Sequence, residues 1–160
     1  MNNPNSTQID AVIVAVPETA GSALYGMLDV LLSAGNIWQT LVRTESVGAP
    51  FRVRIISPTG APFSCGNGVP VHPDLSVEED PETEIVILPE LWLGPDEHLR
   101  GRYPELMDWI RHQHERGASI YSACSGAVML AETGLLDKCE ATSHWGYQDL
   151  FRKYYPDVRF

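Results

Sequence analysis

Short, nearly continuous runs of branched apolar residues alternate along the chain with longer stretches whose apolar positions recur every three or four residues. "DAVIVAVP", Asp10 to Pro17, is such a run closed by proline. A strand without polar alternation is one buried on both faces, which implies a parallel sheet. From Ser22 to Ser33, Leu24, Met27, Leu28, Leu31 and Leu32 fall at helical spacing, with Ser22 placed as an N-cap and Gly35 just past the end. Asn36 to Pro50 has weaker periodicity and is expected to extend this helix before looping back. "FRVRIISPTG" alternates, turns apolar and stops at Pro58 and Gly60, which predicts a second strand. "APFSCGNGVPVHPD" is rich in Gly and Pro and predicts a hairpin or short extended pieces.

The next buried strand runs from Glu84 to Leu88 and is followed by the irregular loop "ELWLGPDEH". Tyr103 to Arg116 places Leu106, Trp109, Ile110 and His114 on one side of a helix that Gly117 stops. "ASIYSA" then leads into Cys124, with a helix from Ser125 to Thr133 closed by Gly134. A short strand near Glu140 to Thr142, a helix from about Gly146 to Tyr154, and the strand-like beginning "VRF" complete the chain.

Strands alternating with helices specify an α/β layered fold with a mostly parallel sheet. In such sheets sites gather at the carboxyl ends of strands, where Glu18, the Pro89-Glu90-Leu91 loop and Cys124 all fall. At 160 residues the chain suits one domain, 9–160, after a disordered polar lead, 1–8. No repeat or linker divides it. The strand-like end, with no helix following to cover it, suggests a chain cut from a longer one.

A formal net charge of −10 disfavours direct contact with nucleic acid phosphates. No secretory signal and no run of 18 apolar residues is present, so a cytoplasmic protein with no membrane contact is expected. Cys65, Cys124 and Cys139 are odd in number and lack C-x-x-C spacing, against both a disulfide framework and a zinc site. No cofactor motif is found.

Chemistry centres on "IYSACSGAVMLAETGLLD", a strand that turns sharply into a helix at Cys124. Small neighbours permit the tight backbone of a nucleophile elbow, and a helix N-terminus stabilises a thiolate. The alternative is an ordinary buried cysteine. A working thiol also needs a base or acid and oxyanion donors. Ser125 stands where a histidine would be nearest, and His144 is either a base or a packed, capping residue beside Trp145.

"YSACSGAVMLAETGLLDKCEATSHW", with "YPDVRF" downstream, resembles the ThiJ/PfpI branch of the class I glutamine amidotransferase-like superfamily, in the form fused to helix-turn-helix domains in AraC-type transcriptional regulators. The Cys-x-Gly elbow, "LAETGLLD" and "AT-x-HW" are jointly specific, and "FRVRIISPTG" and "LDVLLSAG" extend the match over nearly the whole chain. The resemblance implies a flavodoxin-like, three-layer sandwich that continues past Phe160 with a strand and a helix. It also implies an N-terminal domain that forms a homodimer and receives a small-molecule effector, with DNA bound by a C-terminal domain absent here.

Two departures bear on activity. Enzymatic relatives, such as isocyanide hydratases and glyoxalase-like members, place an acid at the position that is Ala23 here, leaving Glu18 as a substitute only if the loop bends differently. Where the resemblance implies a Gly-Gly pair after the strand proline, the chain has Glu90 and Leu91. With Trp92 these residues reshape the pocket, and Glu90 is a candidate contact for a cationic or hydroxylated ligand. The expected function is therefore a non-catalytic sensory and dimerisation domain, with Cys124 a vestigial nucleophile. The alternative is a self-standing thiol enzyme with Cys124 assisted by Glu18 or His144.

Overall fold

The computed structural model describes residues 8–45, 48–94 and 97–160, so nearly all of the lead expected over 1–8 lies outside the described residues. In chain order the elements are β1 (Ile9–Val14), α1 (Gly21–Ser33), α2 (Ile37–Leu41), β2 (Phe51–Ser57), β3 (Phe63–Cys65), β4 (Val69–Val71), β5 (Leu75–Ser76), β6 (Ile85–Leu88), α3 (Pro104–Glu115), β7 (Ser119–Ser122), α4 (Gly126–Glu132) and α5 (Gln148–Tyr154). The main sheet has the order β5-β2-β1-β6-β7 and every pairing in it is parallel. β3 and β4 form a separate antiparallel hairpin.

Side chains that alternate along β1 enter two different cores. Val12 and Val14 pack with Val86, Leu88 and the buried faces of α3, α4 and α5, while Ile13 and Ala15 pack with Leu24, Val53, Ile55 and the hairpin residues Cys65 and Val71. Burial on both faces is the reason β1 reads as an unbroken apolar run. The result is a three-layer α/β sandwich. The chain leaves β1 toward β2 on one side and returns to pair β6 on the other, so the carboxyl ends of β1 and β6 flank a topological switch point.

Several local expectations differ from the structure. The N-cap of α1 is Ala20 without a side-chain bond, and Ser22 sits inside the first turn. The start of α1 is instead tethered from outside, because the Ala20 N–H donates to Glu90 O at 2.8 Å. The helix does not continue beyond Ala34; Gly35 at φ 75° breaks the path and α2 is a separate short helix. On α3 the buried positions are Leu106, Met107, Trp109, Ile110 and Gln113, and His114 is exposed. Gln113 is buried with its Oε1 accepting from the Thr83 N–H at 3.2 Å and its Nε2 left without a partner among the described residues. The strand expected near Glu140 shrinks to a single parallel bridge with Arg159, so "VRF" folds back on 139–141.

β7 is an edge strand of the main sheet, and Tyr121 on it is 57% exposed. Grooves flank it on both sides, an apolar one toward α1 through Met27, Ile87 and Tyr121, and a mixed one toward α4 through His114, Ser119, Ile120, Leu130 and Leu135.

Two glycines separate close approach from propensity. A Cβ on Gly126 would be driven into the carbonyl oxygen of Leu88, with that of Pro89 at 2.7 Å, whereas one on Gly26 in α1 meets nothing within 4 Å. Gly126→Ala is therefore expected to cost about 3 kcal/mol or more, and Gly26→Ala to add about 0.5 to 1 kcal/mol. Urea midpoints of the two variants check the opposite signs.

Candidate functional site

The loops that follow β1 and β6 are stitched together at the switch point. Thr19 and Leu91 form an isolated antiparallel bridge, the Trp92 N–H donates to Glu18 O at 2.6 Å, and the Thr19 hydroxyl accepts from the Val16 N–H at 2.9 Å. The elbow closes against this seam. The Ala123 N–H donates to Leu88 O at 3.0 Å, Cys124 adopts φ 51°, and the Gly126 N–H returns to Ala123 O at 2.8 Å. A non-glycine residue in the left-handed region is uncommon, and here it turns the Cys124 side chain out to solvent. The buried Ser125 hydroxyl donates to Leu91 O at 2.6 Å and accepts from the Leu91 N–H at 2.8 Å, fixing the loop on the elbow. Ser143 adds a bond from its hydroxyl to Cys124 O at 2.9 Å.

The named side chains divide into distinct environments. Glu90 approaches the thiol, its Oε1 4.0 Å from Cys124 Sγ. The Glu18 carboxylate is engaged elsewhere: Oε1 accepts from Arg102 at 2.5 Å and Oε2 from the Tyr103 hydroxyl at 2.7 Å. Ala23 lines a mostly apolar groove of about 530 Å³ together with Ser22, Met27, Leu31, Ile87, Tyr121 and Ala123, and no carboxylate is among the residues lining it. Leu91 is fully buried, and Trp92 is 48% exposed with its indole against Gly66. His144 is exposed; its Nδ1 accepts from the Gly146 N–H at 3.1 Å, and its ring lies 5.3 Å from that of Trp145. The side chain thereby caps the turn at Trp145–Tyr147.

Arg102, Tyr103 and Ser143 belong to this end of the sheet without having been singled out from the sequence. Ser143 stands in the variable slot of "AT-x-HW", and Arg102 and Tyr103 precede α3 with no periodic signal. Burial, together with the neighbouring Glu18 carboxylate, pushes the Tyr103 hydroxyl well above its ordinary range of about 10. No group of three or more His, Cys, Asp or Glu among the described residues is placed to hold a metal ion, and no described helix is long and apolar enough to cross a membrane.

A parallel α/β sandwich with a cysteine elbow at the carboxyl end of its sheet defines the class. Residues 32–156 match the DJ-1/PfpI family, and the chain belongs to that family. Two curated relatives are an HTH-type transcriptional regulator, CdhR, of Pseudomonas aeruginosa and an isonitrile hydratase of Pseudomonas putida. The first is 32% identical over 108 residues, covering 68% of this chain and 31% of the relative. The second is 28% identical over 138 residues, covering 84% of this chain and 51% of the relative. The chain thus spans about a third to a half of their length. Among solved structures, a transcriptional regulator protein from Vibrio parahaemolyticus, so designated provisionally, matches with a TM-score of 0.74 at 24% identity over 95% of this chain and 75% of that one. An AraC family transcriptional regulator from Pseudomonas putida matches at 0.67 and 18% identity, over 94% and 75%. At these identities the two structures speak to the fold.

Tyr103 and Tyr155, which donates to Glu132 at 2.9 Å, keep their protons to higher pH folded than unfolded. Above pH of about 10 the unfolded chain therefore binds fewer protons than the folded one, and stability falls as pH rises. The urea midpoint is expected to drop between pH 9 and 11, and Tyr103→Phe to reduce that drop.

Proposed function

We propose that the chain is the effector-sensing and dimerisation domain of an AraC-type transcriptional regulator, cytoplasmic and without catalytic activity of its own. The observation that carries this reading is the environment of position 23. An elbow cysteine is present, but the α1 position from which an acid would address it is Ala23 in an apolar groove, and Glu18 is neutralised by Arg102. The likeness to a regulator over 68% of the chain supports it, as does the greater length of the relatives.

The edge of β7 bears on the whole protein. Among the described residues it is unpaired on one side and flanked by grooves on both faces, an edge suited to pairing with a further strand. A homodimer would then present two DNA-binding units to paired half-sites. A net charge of −10 gives residues 1–160 little affinity for phosphate by themselves.

The second reading is a cysteine-dependent enzyme acting on a small electrophile. It is favoured by the solvent-exposed Cys124 and by the isonitrile hydratase that aligns over 84% of the chain.

Purified protein incubated with an isocyanide or a 2-oxoaldehyde separates the two. The sensor reading expects no turnover above that of Cys124→Ala and no sequence-dependent mobility shift of duplex DNA by residues 1–160. Turnover abolished by Cys124→Ala would establish the enzyme instead, and a saturable, sequence-dependent shift would contradict the assignment of DNA binding to another domain.

A further inference from the structure

The two carboxylates at the carboxyl end of the sheet are not equivalent. Glu18 has a cation, Arg102, and a hydroxyl donor, Tyr103. Glu90 has no cation partner among the described residues, and the polar contact of its carboxylate is the Cys124 thiol at 4.0 Å. This contact is set by the backbone. The loop carrying Glu90 is held on both sides, through Glu90 O to the Ala20 N–H at 2.8 Å and through Leu91 to the Ser125 hydroxyl.

We propose that Glu90 sets the electrostatic field at the exposed Cys124 thiol, 4.0 Å from its carboxylate, and gives the site a preference for cationic over anionic electrophiles. The inference goes beyond the sensor reading and holds for a regulator or an enzyme alike. An uncompensated carboxylate within a few ångströms of the reacting sulfur lies well inside the screening length of about 8 to 10 Å at ordinary ionic strength. It attracts a positively charged reagent and repels a negative one of equal size and reactivity. With a reagent charge about 6 Å from the carboxylate in a water-like medium, the two opposite signs differ in rate by about tenfold.

A matched pair of thiosulfonates reads this directly. In each, the Cys124 thiol gives up its proton to water, Glu90 stays ionised, and the sulfur attacks the sulfenyl sulfur. The new S–S bond forms as the S–SO2 bond breaks, and methanesulfinate leaves. The probes are 2-(trimethylammonium)ethyl and 2-sulfonatoethyl methanethiosulfonate, with modification of Cys124 followed by peptide mass spectrometry so that Cys65 and Cys139 do not contribute. For the unmodified protein the ratio of cationic to anionic rates is expected to exceed that of Glu90→Gln by about tenfold. Glu90→Asp is expected to restore part of it, and Glu105→Gln on the exposed side of α3 to leave it unchanged. Raising the salt to about 1 M is expected to shrink the ratio in the unmodified protein, a test that needs no variant. A ratio that is the same in Glu90→Gln as in the unmodified protein, whether both rates move together or neither moves, would overturn the proposal. So would a ratio insensitive to salt.

Discussion

One buried hydroxyl holds the site together. Ser125 bonds both the N–H and the C=O of Leu91, at 2.8 and 2.6 Å, and is itself fully buried. It joins the elbow after β7 to the loop after β6, which is in turn stitched to the loop after β1 through Thr19 and Leu91. Three segments far apart in sequence therefore share one rigid seam. Without the hydroxyl, the Leu91 N–H would lose its partner, at about 1 to 3 kcal/mol, and Leu91 O would keep only the longer bond from the Tyr147 hydroxyl at 3.4 Å. The position of Glu90, one residue before Leu91, follows from this clasp rather than from any preference of its own side chain.

The clasp redistributes charge around Cys124. On α1 the surface facing the elbow is hydrocarbon, from Ala23 through Met27 to Leu31. Negative charge comes from the opposite loop, through Glu90, while Glu18 is turned toward Arg102 and Tyr103. The exposed thiol thus lies beside an apolar groove and a carboxylate with no cation partner among the described residues. The DJ-1/PfpI scaffold holds the elbow, and loops far apart in sequence set the side chains around it, as expected when function resides in a site grafted on a fold.

The layers of the fold were legible because burial on both faces leaves no room for polar alternation in β1 and the inner part of β2. The elbow was legible too: only small residues fit around a left-handed Cys124, and Gly126 must pass against the Leu88 carbonyl. Other features depended on contacts that no local pattern encodes. β5 is two residues long and exists through its pairing with β2. Ser22 has the chemistry of an N-cap, yet α1 begins one turn-fraction earlier because Ala20 is tethered to Glu90. The pattern predicts His114 on the apolar side of α3, but Gln113 holds the position three and four residues after Ile110 and Trp109 and is the one buried. The meeting of Glu90 with Cys124 spans 34 residues and was hidden for the same reason.

The most direct measurement of this account is amide hydrogen exchange at Leu91, observed residue by residue. Although it lies in a loop, its N–H is donated to a fully buried hydroxyl. It is expected to exchange as slowly as the amides of β1 and β6, with an opening free energy close to that of global unfolding. Exchange at the rate of an open loop, with β1 still protected, would mean that the seam is not closed in solution and that the elbow and the Glu90 loop move independently.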